Sequence, residues 1–200
     1  MGKALKRVGI CAILALAVWL GAVAADRETL SRELIRLHVV AASDSEADQA
    51  VKLRVRDAVL SSIRQDLEAV SDVEAAKAYL RENLPKIRQA ANDALAAAGL
   101  EPSAVVSLCK ETFDTRVYDT FTLPAGVYDA LRIVIGPGEG HNWWCVVFPS
   151  LCLPATSDGF QAETAGAGFS QELTDTLTGD YEVRFFLLDW LGRVQNRLAE

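Results

Sequence analysis

The chain has 200 residues, half of them hydrophobic and 24% charged, with a formal net charge of −7. That length suits one domain with its own core, and the composition excludes a disordered chain and a purely membrane-embedded one. The acidity excludes nucleic acid as a partner, since residues 101–200 hold 6 basic against 14 acidic side chains and such binding needs clustered Lys and Arg.

The start of the chain has the three-part layout of a secretory leader. Lys3, Lys6 and Arg7 precede an uncharged run from Val8 to Ala25, which ends in the small-residue pattern Ala22-Val23-Ala24 before Asp26. Gly21 and that pattern favour cleavage. An uncleaved anchor is the alternative, because eighteen helical residues span about 27 Å, close to the hydrocarbon core of a bilayer. Residues 1–25 are therefore a signal peptide or signal anchor, and residues 26–200 form one extracytoplasmic domain. Membrane contact runs through the leader if it stays.

Beyond the leader, Leu34–Ala41 alternates and predicts a strand with Ile35, Leu37 and Val39 on one face. Ser45, with Asp48 three residues on, predicts a helix start, and the helix continues to about Ala69 with Leu53, Leu60, Ile63, Leu67 and Val70 on its apolar stripe. Ser71 and Glu74 form a capping box for a second helix, which Pro85 should kink or split and Gly99 and Pro102 should end. Ser103–Phe113 predicts a strand, with Phe121–Leu123 extending the pairing. Tyr128–Ile135 and Trp143–Phe148 predict a hairpin across the loop Gly136-Pro137-Gly138-Glu139-Gly140. Residues 155–168 have no period and read as a mobile surface loop. Val183, Leu187, Trp190, Leu191, Val194 and Leu198 predict a final amphipathic helix. The order of strand, two helices, three or more strands and a helix defines a mixed α/β fold in a single domain.

Once Cys11 is set aside with the leader, three cysteines remain. Cys145 and Cys152 lie seven apart across Pro149-Ser150, outside the reducing cytosol, and a bridge between them would stabilise the fold by about 2.5 kcal/mol. Cys109 reads as a buried thiol. A thiol enzyme built on Cys145 with His141 or His38 is a poor fit, because Cys145 stands in an apolar strand and His141 is roughly 13 Å away along it. His38, Asp44, Cys145 and Cys152 lack the close ligand pairs of a zinc site. The glycine loop lacks the Lys-Ser/Thr of a phosphate-binding loop. Trp143 and Trp144 point to opposite faces of a strand, so at most one belongs to the core and the other is a candidate interface anchor. Asp44 exceeds what capping needs and is a candidate to hold the loop or to touch a partner. Arg54 and Arg56 read as a solvated face, with Asp57 pairing Arg54.

Two stretches stand apart from this scaffold. The first comprises Arg36-Leu37-His38-Val39, Ala41, Ser43-Asp44-Ser45, Asp48-Gln49, Lys52 and Val55-Arg56-Asp57. The second comprises Gly138-Glu139-Gly140, Asn142-Trp143-Trp144-Cys145-Val146, Phe148-Pro149 and Leu151-Cys152. Together with the leader and the length, they resemble the stage II sporulation protein R family. Ala42 departs from the pattern, which has Asn there.

The resemblance implies an exported signal that passes from forespore to mother cell, in the space between their membranes. There it would activate a membrane-embedded aspartic protease that processes the precursor of an early mother-cell sigma factor. On that reading the chain is a ligand rather than an enzyme, no cofactor is implied, and the partner-binding candidates are Asp44, Gly138, Glu139, Gly140, Asn142, Trp143 and Trp144. The alternative from another class is a cell-envelope hydrolase using Cys145 or Glu139.

Overall fold

The computed structural model describes residues 2–70, 72–118, 121–149, 171–178 and 183–199. Helix α1 (Gly2–Glu33) leads into strand β1 (Ile35–Val40), followed by helices α2 (Glu46–Glu68) and α3 (Val73–Ala97). Strands β2 (Ala104–Phe113), β3 (Arg116–Val117), β4 (Thr122–Leu123), β5 (Gly126–Ile135) and β6 (Asn142–Phe148) come next. Helices α4 (Gln171–Thr178) and α5 (Val183–Ala199) complete the described chain. The mixed α/β fold expected from the sequence is present.

Four strands form one sheet in the order β2-β5-β1-β6, and β3 with β4 makes a separate short pair. All six residues of β1 are buried, as befits a central strand covered on both faces. Alternation along the strands divides the side chains between two cores. Leu37, Val39, Leu131, Ile133 and Ile135 pack under α2 and α3, meeting Val55, Val59, Ile63, Leu80, Ile87 and Leu95. On the other face Tyr128, Ala130 and Val146 meet Val23 and Leu30 of α1, Leu173 and Leu177 of α4, and Leu188 of α5. The domain is thus three layers, helices on sheet on helices.

The structure corrects several sequence expectations. β5 and β6 are not a hairpin: β1 lies between them, parallel to β5 and antiparallel to β6. Pairing through β1 buries that strand on both sides, which a direct hairpin would leave at an edge. The Gly136–Gly140 loop instead crosses the end of β1. Pro85 does not split α3, which runs from Val73 to Ala97 with Pro85 inside it. Pro85 and Arg81 are exposed, so the carbonyl freed by the missing N–H faces water, and the fully buried Leu80, Ile87, Ala91 and Leu95 hold both halves in line. The cap of α3 is Asp72, whose carboxylate accepts from the Ala75 N–H, and Ser71 lies outside the described residues. Leu53 is exposed, because Val51, Val55 and Val59 occupy the inward face of α2. On α5, Trp190, Val194 and Leu198 point outward, while Phe185, Leu188, Asp189 and Asn196 face in. The expected loop at 155–168 lies outside the described residues.

Candidate functional site

The two stretches that stood apart in the sequence meet at one end of the sheet. β1 ends at Val40, and the chain turns through Ala41–Ser45 into α2, where the Ser45 hydroxyl accepts from the Asp48 N–H as the cap predicted. The Ser43 hydroxyl donates to Asp48 Oδ2 at 2.5 Å and accepts from the Ser45 N–H, so the turn is internally braced. Across it lies the glycine loop. The Glu139 and Gly140 N–H groups donate to the Ala42 and Ala41 carbonyls at 3.3 and 3.0 Å. A side chain at Gly140 would stand 2.2 Å from the Ser43 carbonyl oxygen, so only glycine permits this approach. Gly138 adopts a φ of +69°, and a Cβ there would meet Val134.

Asp44 closes the clasp. Its Oδ1 accepts from the His141 N–H at 2.6 Å and lies 2.5 Å from the His141 ring Nδ1. These hydrogen bonds hold the Asp44 carboxyl below its ordinary value. Beneath them, the buried Lys52 ammonium donates to the His141 carbonyl at 3.0 Å and to Gln49 Oε1, and the Gln49 amide donates to the Ser43 carbonyl. Burial lowers the Lys52 pKa from its usual value. Of the alternatives for Asp44, holding the loop is what the geometry shows. Nothing in the sequence alone marks Gln49, Lys52 or His141 for this role, although Gln49 and Lys52 stand in the first stretch.

The pleat sends the two tryptophans to opposite faces, as expected. Trp143 pairs with Val39 on the α2 side, is 37% exposed, and lies under the Arg56 guanidinium at 4.3 Å. Arg56 is therefore packed rather than solvated, and Asp57 pairs with it rather than with Arg54. Trp144 stacks on His38, with the Arg116 guanidinium 3.5 Å over its ring, at the edge of the second core. His38 Nδ1 lies 2.9 Å from the Glu111 carboxylate, which gives that imidazole a structural partner. Arg36 is wholly buried on the same face, donating to the Tyr118 hydroxyl at 2.7 Å with its guanidinium over the Phe113 ring. Burial pushes the neighbouring Tyr128 hydroxyl up to about 12. Glu139 is exposed on the loop, and Asn142 is half-buried opposite Val40.

Cys145 is buried beside Leu37 on the α2 side, and its thiol is not free. Cys11 and Cys109 are free, the latter half-buried rather than buried. Cys152 lies outside the described residues. Among the described residues no group of three or more His, Cys, Asp or Glu could hold a metal ion.

Fold and site together define a small mixed α/β domain with a braced loop edge, carried behind an apolar helix of the signal or anchor type. α1 contains a stretch, Lys6–Glu33, long and apolar enough to cross a membrane. Residues 31–158 match the family described as Stage II sporulation protein R. The chain is also 33% identical over 180 residues to Stage II sporulation protein R of Bacillus subtilis (strain 168), covering 80% of each chain. This chain belongs to the stage II sporulation protein R family, and its role lies in sporulation. No solved structure matches it.

Proposed function

We propose that the protein is an exported sporulation signal that acts in the space between forespore and mother-cell membranes. Its clasped edge meets a membrane-embedded aspartic protease of the mother cell and starts processing of an early sigma-factor precursor. One observation supports placing the activity at this edge. Asp44 and His141, 97 residues apart, are bonded so that both family stretches form one surface beside the exposed Trp143. A lone loop would lose conformational entropy on docking, whereas a braced one binds with that cost already met.

Reconstitution tests the reading. The chain is added to membranes that contain the candidate protease and its precursor substrate, and cleavage of the precursor is followed. Wild type should start cleavage. Gly140→Ala, which forces the loop off the Ser43 carbonyl, should start much less while the domain stays folded. Undiminished cleavage by a folded Gly140→Ala chain would move the activating surface elsewhere.

We also propose that Cys145 is bridged to Cys152 in the exported protein. Thiol labelling of the denatured, unreduced chain should then leave both unlabelled while Cys109 reacts. Labelling of all three would exclude the bridge.

A further inference from the structure

The outward stripe of α5 has no role in the clasped edge or in the cores. Its orientation is fixed by what the other side of the helix touches. The Asp189 carboxylate accepts from the Ala125 N–H at 3.0 Å and from the Thr115 hydroxyl. Asn196 donates to the Phe113 carbonyl at 2.9 Å. Between them Gly192 presses so closely on Ala125 that a Cβ would stand 1.6 Å from its carbonyl oxygen. These positions, three and four apart, hold one face of the helix on the sheet. Trp190, Val194 and Leu198 therefore face outward by construction, with 52%, 38% and 83% of their surface exposed.

The place of this stripe identifies what covers it. Leu187 and Leu191, on the flank of α5, pack in the same cluster as Trp19 and Val23 of α1. Trp19 and Val23 belong to the uncharged run that ends at Ala25. Six residues of helix separate Trp19 from Ala25, about 9 Å of rise, which is the depth at which an interfacial helix lies between headgroups and acyl chains. Charge agrees. The span Val183–Ala199 carries three Arg and one Asp, in a chain whose net charge is −7. Asp189 is buried against the sheet, where Arg193 pairs with it from the exposed side, and Arg197 is exposed, so the helix keeps an excess of positive charge. A basic helix with an outward apolar stripe and a tryptophan fits a lipid surface.

We infer that α5 lies in the surface of the membrane that holds α1, with Trp190, Val194 and Leu198 inserted among the lipids. This is independent of the protease reading, which rests on the Asp44–His141 clasp. It also gives the domain a fixed orientation on its membrane, because α1 and α5 share one core.

The test uses the full chain reconstituted in phosphatidylcholine–phosphatidylglycerol vesicles. Emission of wild type minus that of Trp190→Phe isolates Trp190 from Trp19, Trp143 and Trp144. Lipids brominated near the headgroup end of the acyl chain should remove most of this difference signal, and aqueous iodide should barely reach it. Trp143, isolated in the same way with Trp143→Phe, should show the reverse. Should Trp190→Phe fail to fold by circular dichroism, Leu198→Trp supplies a second emitter on the stripe, with the same quenching expected. A stripe tryptophan quenched by iodide and untouched by bromolipid would overturn the inference. So would one shielded from both quenchers, since a second copy of the chain or another protein would then be its cover.

Discussion

Trp143 and Trp144 are neighbours in the chain with separate tasks, because the pleat of β6 turns them to opposite faces. Trp143 lies under Arg56 at the clasped edge with 37% of its surface open. Trp144 stacks on His38 and lies under the Arg116 guanidinium against the second core. Trp143→Ala should therefore leave the melting temperature nearly unchanged and cut protease activation roughly thirtyfold, the effect of losing an anchor worth about 2 kcal/mol. Trp144→Ala should cost stability toward the low end of the roughly 3–5 kcal/mol of a core tryptophan, since its ring is half-buried. If signalling and folded protein fall together in both, the tryptophans only build scaffold. Asp44 gives a prediction in pH. Its carboxyl is held below the ordinary value of 3.8 by hydrogen bonds from His141. A carboxyl whose folded pKa is depressed stabilises the clasp above the unfolded value and loses that contribution as pH falls through the lower folded value. Amide protection at His141 should thus hold from neutral pH down to 3.8 and decline only below it. Asp44→Ala should lower that protection at every pH. Equal protection in wild type and variant at neutral pH would show that the backbone bonds to Ala41 and Ala42 hold the loop unaided.

Elements set by local chemistry were legible in the sequence, and those set by distant contacts were not. The cap at Ser45 and the end of α3 at Gly99, with φ +77°, follow from residues within one turn, and both stand where expected. The order of β5, β1 and β6 depends on which strand inserts between two others, and nothing within Tyr128–Phe148 encodes that. The face of α5 is not legible in the sequence because apolar periodicity counts Asp189 and Asn196 as outward, whereas they satisfy the Ala125 N–H and the Phe113 carbonyl. In the site, Asp44 was legible as an acid beyond capping needs, but its partner His141 was not. The cap of α3 makes the local case testable. Asp72 accepts from the Ala75 N–H at 2.8 Å, so Asp72→Ala should destabilise the domain by about 1 kcal/mol, read from the urea midpoint. Ser71→Ala should change it less. The opposite ranking would return the cap to Ser71.

At the scale of the molecule, the two cores differ in their dependence on the leader. The core under α2 and α3 draws only on residues beyond it, while the second core takes in Val23, wholly buried, and the flank of Trp19. Removing the leader therefore has two consequences, one of location and one of packing. An activating surface made in the cytosol cannot meet a partner across a bilayer, so a chain lacking residues 3–24 should not signal. Packing alone could produce the same loss, since burying one valine is worth about 1.5 kcal/mol or more. A second chain separates the causes: a cleavable secretory signal placed directly before Asp26 leaves the same mature packing but restores export. Both chains lack Val23 from the second core, so any difference between them reads location alone. Processing of the precursor should be absent with the leaderless chain and return with the exported one. Full processing by the leaderless chain, with that chain shown to remain inside the producing cell, would remove export from the mechanism. No processing by either, with both folded, would place Trp19 and Val23 among the residues the active domain cannot lose.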